Sequence, residues 1–294
     1  MSTRLTQAPA GVSAASTDTA APRSKGGQPR KPLDAAARRR RLWSLVLANG
    51  APLLALLVWW YASQNSNPLE IPDPIVVAER AWDLLVGSGA SQTWTSFARI
   101  MISVALSMVI GAALVAIAKL WPVTDRLIGN RILPFVNSVP ALGWAILGVI
   151  WFGVGNFAVV FVVTLILVPF TLVNLWQGMQ ALDRELREMG RSFTRSRWRV
   201  MWKIEAPLLA PYALAATRLS FAVGWKVALI AEFFGSDTGL GLVMNQARQM
   251  LDTPTVFAAI IVVMLIVIVF DRLVFDQLAK RLAVKSGTVV PTGG

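Results

Sequence analysis

The sequence predicts an all-α membrane protein with six transmembrane helices, and its composition and charge pattern are the basis for this. Hydrophobic residues make up 55% of the 294-residue chain and charged residues only 15%, whereas soluble domains carry about 25% charged residues. Four long stretches carry no charge at all, namely 42–69, 100–118, 132–182 and 253–270. A helix needs about 20 apolar residues to cross a hydrocarbon core about 30 Å thick. Runs of this length therefore indicate spanning helices.

Six spans can be placed along the chain. The run 132–182 is too long for one helix, and the sequence FGVGN at 152–156 predicts a turn in its middle. A further segment, 207–235, is apolar apart from Arg218, Lys226 and Glu232. The predicted spans lie near 43–62, 98–118, 133–151, 157–177, 207–235 and 254–274.

Basic residues predict that both ends of the chain are cytoplasmic, because cytoplasmic segments retain Lys and Arg. With the N-terminus inside, the inner segments hold 23 of the 28 basic residues; they are 1–41, 119–131, 183–205 and 271–294. Residues 1–41 are expected to form a disordered basic tail and residues 281–294 a second cytoplasmic tail. The uncharged run that follows residue 41 exceeds the 7–15 apolar residues of a signal peptide, which favours an uncleaved first span over 42–68.

The outer segment 69–96 predicts a proline-rich loop and a short amphipathic helix at the membrane surface. Its lipid-facing residues are expected to be Val76, Val77, Ala81, Trp82, Leu84 and Leu85. Residues 97–280 then form the main transmembrane domain.

Several function classes are disfavoured by composition. The chain has no cysteine and no histidine, so we predict no catalytic residues, no metal site and no bound cofactor. The basic residues follow membrane topology, which argues against nucleic acid as a partner. There is also no phosphate-binding G-x-x-x-x-G-K-[S/T] loop, so any ATP and Mg²⁺ would be bound by another polypeptide.

Charged residues within the spans are candidates for a translocation pathway, because they are costly in lipid. Lys226 and Glu232 are six residues apart, about 240° around a helix, and should not pair with each other. For Lys226, pairing or snorkelling remains as open as a pathway role, and Glu232 could instead touch water at the outer interface. Pro140 and Trp144 complete the candidate set, although packing is the commoner role of a tryptophan.

Other residues in the spans are expected to anchor or kink the helices. Arg99 and Arg218 are the expected surface anchors, and the expected kinks are at Pro140, Pro169 and Pro211.

The densest internal basic segment is RELREMGRSFTRSRWRVMWK at 184–203. It could serve only to fix topology, lie in the interface as a helix, or dock on a cytoplasmic partner. Its spacing resembles the cytoplasmic loop of binding-protein-dependent ABC importer permeases, which reads E-A-A, three residues, G, nine residues, I, one residue, L-P. Glu188, Ile204 and Pro207 match this pattern. Met189 and Gly190 replace the alanines, Thr194 the glycine and Ala206 the leucine.

Further segments resemble the permeases of the nitrate, sulfonate and taurine importer group. They are IPDPIVVAERAWDLL (71–85), SFARIMISVALSMVIGAALVAIAK (96–119), VPALGW (139–144), IWFGVGN (150–156), WKVALIAEFFG (225–235) and GLGLVMNQAR (239–248). Together they cover about residues 70 to 280.

The resemblance implies a type I ABC importer permease fold in a bacterial inner membrane. It implies a second copy of the permease, two cytoplasmic ABC ATPase subunits that hydrolyse ATP, and a periplasmic or lipid-anchored substrate-binding protein. The loop 183–206 would couple to the ATPase through Glu188, Gly190, Arg191, Thr194, Arg197, Trp198, Ile204 and Pro207. The expected solute is a small anion of the sulfonate, taurine or nitrate type. A heterocyclic vitamin precursor is the alternative, and a self-sufficient secondary transporter, a membrane enzyme and a scaffold are weaker ones.

Overall fold

The computed structural model describes residues 50, 52–67, 69–120, 138, 140–181 and 205–286. The chain divides into two compact units, residues 1–54 and residues 55–294. In the first unit the described residues, 50 and 52–54, are helical. Every contact given below lies within the second unit.

The regular structure in the described part of the second unit is entirely helical. Its helices are α1 (55–65), α2 (Pro74–Val86), α3 (Ala90–Leu120), α4 (Ala141–Phe152), α5 (Asn156–Ala181), α6 (Ala206–Gly235), α7 (Leu240–Gln249), α8 (Thr253–Phe270) and α9 (Asp276–Ser286), with a π-helical turn at Asp271–Phe275 between the last two.

Four described helical stretches are long and apolar enough to cross a membrane: Ala90–Ala118, Asn156–Ala181, Ala206–Gly235 and Thr253–Leu282. They confirm the predicted spans near 98–118, 157–177, 207–235 and 254–274. The other two predicted spans are described only in part, as helical residues 52–62 and as α4. The protein is therefore an all-α, multi-pass membrane protein.

The core forms where α5 packs between α3 and α6. These helices bury apolar side chains such as Ile100, Leu167 and Trp225. The turn predicted at FGVGN separates α4 from α5, and Gly153 there has φ +75°, a conformation that side-chain-bearing residues adopt only at a cost. This turn separates the described part of the uncharged run into two helices, Ala141–Phe152 and Asn156–Ala181.

Prolines behave differently from one another. Pro169 and Pro211 lie inside α5 and α6, as expected for kink positions. Pro140 instead occupies the N-cap position of α4. A helix start has backbone N–H groups without intrahelical partners, so the missing N–H of proline costs little there. The prediction of a kink at Pro140 was therefore wrong.

The prediction for α2 was only partly right. Its residues Val77, Ala81 and Leu84 are buried in the protein core, where α2 packs against α8. Val76 and Trp82 are exposed on other sides of the helix. Six residues assigned to one membrane-facing surface therefore belong to different faces.

Candidate functional site

Most of the predicted coupling residues lie outside the described part of the chain. These are Glu188, Gly190, Arg191, Thr194, Arg197, Trp198 and Ile204. The remaining one, Pro207, is exposed in the first turn of α6. The described residues place the other candidates on α4 and α6.

A buried ion pair joins α3 to α6 near the predicted outer side of the membrane. Arg99 Nη1 donates to Glu232 Oε1 at 2.8 Å, and the two residues are 3% and 0% exposed. Arg99 was predicted to be a surface anchor, which was wrong. An arginine with its charge satisfied by a carboxylate can lie inside the protein, whereas an unpaired one cannot do so cheaply.

The remaining donors of Arg99 bind two other parts of the chain. Its Nε and Nη2 donate to Asn156 Oδ1 at the start of α5. Its Nη1 also donates to the carbonyl oxygen of Thr238 at 2.8 Å, and Nη2 donates to the hydroxyl oxygen of the same residue at 2.6 Å. One guanidinium group therefore connects α3, α5, α6 and the segment that precedes α7.

The start of α7 is capped by side chains from two spanning helices. The N–H groups of Gly239, Leu240 and Gly241 donate to Gln92 Oε1 (2.6 Å), Ser96 Oγ (2.8 Å) and Glu232 Oε2 (3.0 Å), in that order. The first N–H groups of a helix have no intrahelical partner and need such acceptors. The N-cap residue is Gly239, which has no side chain to supply one. We call Gln92, Ser96, Arg99 and Glu232 the capping cluster.

Two glycines are needed for this close approach. Gly239 has φ +104°, and a Cβ added there would lie 2.6 Å from the Glu232 carboxyl group. A Cβ on Gly241 would lie 2.5 Å from the Cβ of Glu232. Any larger residue would push the helix start away from the carboxylate that caps it.

The hydrogen bonds of the capping cluster are satisfied within the protein, which indicates that the cluster stabilises the fold. Both oxygens of Glu232 are bonded, because Ser96 Oγ also donates to Oε2 at 2.6 Å. The arginine and the carboxylate cancel in charge, and the carboxylate lies at the N-terminus of α7, where the helix dipole favours a negative group. The structure thus places Glu232 in the interior of the described part of the chain, with both of its carboxylate oxygens bonded.

The sequence contains a signal for this cluster that was not used when Arg99 was predicted to be a surface anchor. Gln92, Ser96 and Arg99 are spaced by four and three residues, so they share one face of α3. A polar row on an otherwise apolar spanning helix predicts a polar partner inside the protein. The partner, however, lies 133 residues away in the sequence.

Lys226 lies on the opposite side of α6 from the protein core. Its face of the helix, which we call the Lys226 face, contains the exposed residues Leu208, Ala215, Leu219 and Lys226. The opposite face is buried against α3 and α5 through residues such as Ser220 and Ala228. Among the described residues, Lys226 has no hydrogen-bond or ion-pair partner.

The depth of Lys226 follows from its neighbours along α6. It lies nine residues before the end of the helix, which is about 14 Å. Eight residues before it, Arg218 forms an ion pair with Asp271, directly after the apolar helix α8 ends. Lys226 therefore lies inside the span, at a distance from the outer end of α6 that is about half the thickness of a bilayer core.

The two remaining candidates lie on and before α4. Pro140 is exposed, and Trp144 is half-buried. The Nε1 atom of Trp144 is buried and has no hydrogen-bond partner within the described ranges. α4 packs against α6, on which Lys226 lies.

Comparison with known proteins places these features in a family. Residues 107–283 match the family described as binding-protein-dependent transport system inner membrane component. The chain is 28% identical over 253 residues to the taurine transport system permease protein of Escherichia coli (strain K12), covering 83% of this chain and 91% of that protein. It is also 28% identical over 239 residues to the riboflavin transport system permease protein of Chloroflexus aurantiacus (strain ATCC 29366 / DSM 635 / J-10-fl), covering 79% and 87%.

A solved structure supports the fold. The inward-facing MetNI methionine ABC transporter matches with a TM-score of 0.55 at 16% identity, over 66% of this chain and 95% of that chain. At this identity the likeness concerns the fold alone. It agrees with the type I importer permease fold that the sequence resemblance implied.

Proposed function

Because the chain belongs to the binding-protein-dependent transport system inner membrane components, we propose that two copies of it form the membrane pathway of an ABC importer for a small anionic solute. Separate ATPase subunits hydrolyse ATP on the cytoplasmic side, and a substrate-binding protein delivers the solute from outside. Both ends of the chain are cytoplasmic in this assignment, and the membrane is the bacterial inner membrane.

The observation that carries the pathway proposal is the position of Lys226. An ammonium group facing lipid at mid-span costs about 2.5–3.5 kcal/mol on the insertion scale. Lys226 is exposed on the single chain and points away from its core. A second copy and a water-filled pathway between the two would cover this face and hydrate the charge. The Lys226 face is therefore the pathway side of α6.

The sign of the charge favours an anion. A cation halfway along a pathway attracts a negatively charged solute and repels a positive one. The taurine permease relative is consistent with a solute that carries an anionic group, since taurine is a zwitterion whose sulfonate is negatively charged. The riboflavin permease relative supports the alternative, a heterocyclic vitamin or its precursor. We propose the sulfonate class first because, of the two classes, only sulfonates carry a negative group that the Lys226 ammonium would attract.

The roles of the remaining candidates follow from their positions. We place Trp144 and Pro140 beside the pathway through the packing of α4 on α6. We assign Glu232 to the positioning of α7 and not to the pathway. The segment 183–206 remains the proposed coupling loop, on the strength of its spacing.

The experiment that tests this function is purification of a tagged chain from native membranes in mild detergent, with its companions identified by mass spectrometry. We expect a phosphate-loop ATPase at one copy per permease. If a control importer stays intact under the same conditions and no ATPase is found, the importer assignment of the partners fails.

The solute is tested with the binding protein recovered from that purification. Isothermal titration with taurine, an alkanesulfonate, nitrate and riboflavin separates the two solute classes. Binding of a sulfonate or nitrate supports the anion proposal. Binding of riboflavin alone contradicts it and leaves the importer assignment unchanged.

A further inference from the structure

Helix α2 has a second apolar face that the protein core does not use. Its first face consists of Val77, Ala81 and Leu84, which are between 1% and 5% exposed. On the other side, four apolar residues recur at spacings of three and four, which places them in one row along the helix. They are Ile75, Ala78, Trp82 and Val86, and all are exposed. We call them the α2 stripe.

The two apolar faces are nearly opposite each other. At 100° per residue, the buried face is centred about 140° away from the α2 stripe. The sector on one side of the stripe is charged, because Glu79, Arg80 and Asp83 lie there and are exposed. α2 is thus divided into a protein-facing sector, an apolar exposed sector and a charged exposed sector.

The charged sector is exposed and ends at a polar turn. Asp83 Oδ1 accepts from the backbone N–H and the hydroxyl of Ser88, in the turn after α2. This turn contains Gly87, Ser88 and Gly89 and is polar.

The depth of α2 is set by contacts at its start. Trp59 Nε1 on α1 donates to the carbonyl oxygen of Pro72, two residues before α2 begins, at 3.2 Å. The ring of Trp59 also contacts the ring of Phe257 on α8, with centroids 6.0 Å apart. Trp59 lies six residues before the end of α1 and Phe257 four residues after the start of α8, so both are about 6–9 Å inside the outer helix ends. The start of α2 is therefore held at the level of the outer leaflet.

We propose that the α2 stripe is a lipid-binding surface in the outer leaflet, with Trp82 at the boundary between headgroups and acyl chains. A tryptophan has an apolar ring and one N–H donor, which suits this boundary. Trp82 is 68% exposed. The charged sector then points to water, as in helices that lie in the membrane interface.

Lipid explains this arrangement better than a protein partner does. The row begins at the depth of Trp59 and Phe257, where the apolar helices α1 and α8 are themselves within the bilayer. Helix α8, on which α2 packs, also has exposed apolar residues, for example Ile260 and Met264. Acyl chains at this depth cover the α2 stripe without any protein partner.

The experiment uses single cysteines, which is practical because the natural chain has none. Cysteines are placed at 75, 82 and 86 in the stripe and, as matched controls on the same helix, at 79 and 83. Each full-length variant is spin-labelled in nanodiscs of phosphatidylethanolamine and phosphatidylglycerol. Collisions with oxygen, which concentrates in lipid, are compared with collisions with a water-soluble nickel chelate.

We expect the oxygen-to-nickel collision ratio to be several-fold higher at 75, 82 and 86 than at 79 and 83. Equal ratios at all five positions would show that the stripe faces water and would overturn the proposal. Immobile labels at the stripe that neither reagent reaches would identify a protein partner instead, and would also overturn it. Three stripe positions are used so that a single badly folded variant cannot decide the result.

Discussion

The pairing of Arg99 with Glu232 is the residue-scale feature with the largest expected effect on stability. Glu232→Gln keeps the size of the side chain but leaves Arg99 as a buried charge without its counter-charge. Breaking one partner of a buried pair costs about 3–5 kcal/mol. We expect a marked loss of thermal stability of the purified protein, measured by loss of monodisperse material on heating.

The matched control for this variant is Asp271→Asn. Asp271 pairs with Arg218, and the two side chains are 35% and 44% exposed. Exposed pairs contribute about 0–1 kcal/mol. Arg218 also keeps its bond to Asp276. If Glu232→Gln and Asp271→Asn lowered stability equally, the buried pair would not be the stabilising element that the geometry indicates.

Gly239 provides a second residue-scale prediction. Gly239→Ala places a Cβ against the Glu232 carboxyl group at a backbone conformation that alanine avoids. Strain of this kind costs about 1–3 kcal/mol, so stability should fall. Gly224→Ala is the control, because its added Cβ meets ordinary contacts at 3.4 Å and beyond. Equal stability of the two variants would contradict the close approach of α7 to Glu232.

At the scale of elements, α7 depends on side chains that belong to α3. Ser96→Ala removes the acceptor of the Leu240 N–H and one donor to Glu232. Loss of a helix cap costs about 0.5–2 kcal/mol. Hydrogen exchange of the first turn of α7 should therefore become faster while exchange in α5 is unchanged. Thr95→Ala serves as the control, since its hydroxyl binds only within α3, at Ser91.

Much of the element order followed from the sequence, because charge-free length and the FGVGN turn are local signals. Four spans were confirmed at their predicted places. The faces of α2 could not be assigned, since both sides of that helix are apolar and only the tertiary structure decides which side packs on α8. The role of Arg99 was missed for the same reason, because its partner is remote in sequence.

At the scale of the whole molecule, substitution of Lys226 tests the proposed pathway between two copies of the chain. Lys226→Met keeps much of the side-chain length and removes the charge. A charge-assisted contact contributes about 1.5 kcal/mol or more, so uptake of an anionic solute should fall about tenfold. Lys280→Met, the same change at an exposed position on α9, should leave uptake unchanged. Wild-type uptake by the Lys226 variant would remove this residue from the pathway.

The proposed coupling to the ATPase also belongs to this scale. Glu188→Lys reverses the charge at the first fixed position of the loop pattern and should abolish uptake while membrane insertion stays normal. Glu185→Lys makes the same change three residues earlier, outside the pattern, and should have little effect. Equal loss of uptake in both variants would mean that the loop's charge, and not its pattern, matters, and wild-type uptake by Glu188→Lys would remove Glu188 from the coupling interface.

The topology of the chain can be measured with the same cysteine-free background. Cysteines at 190 and 250 should react with an impermeant maleimide from opposite sides of the membrane. Met250 is suitable because it is 80% exposed. Reaction of both from one side would contradict the predicted orientation.

Helix α6 runs without interruption for 30 residues from Ala206 to Gly235, about 45 Å, and its one internal proline, Pro211, lies near its lower end. Its first residue directly follows the proposed coupling loop, and its last turn carries the carboxylate that caps α7. If the helix pivots near its lower end by about 10°, its upper end moves by about 8 Å. Because α7 is capped by Glu232 and Arg99 joins the same end to α3 and α5, these helices must travel with it as one body. A small rotation delivered on one side of the membrane would thus become a large displacement on the other, which gives α6 the mechanical advantage of a lever arm.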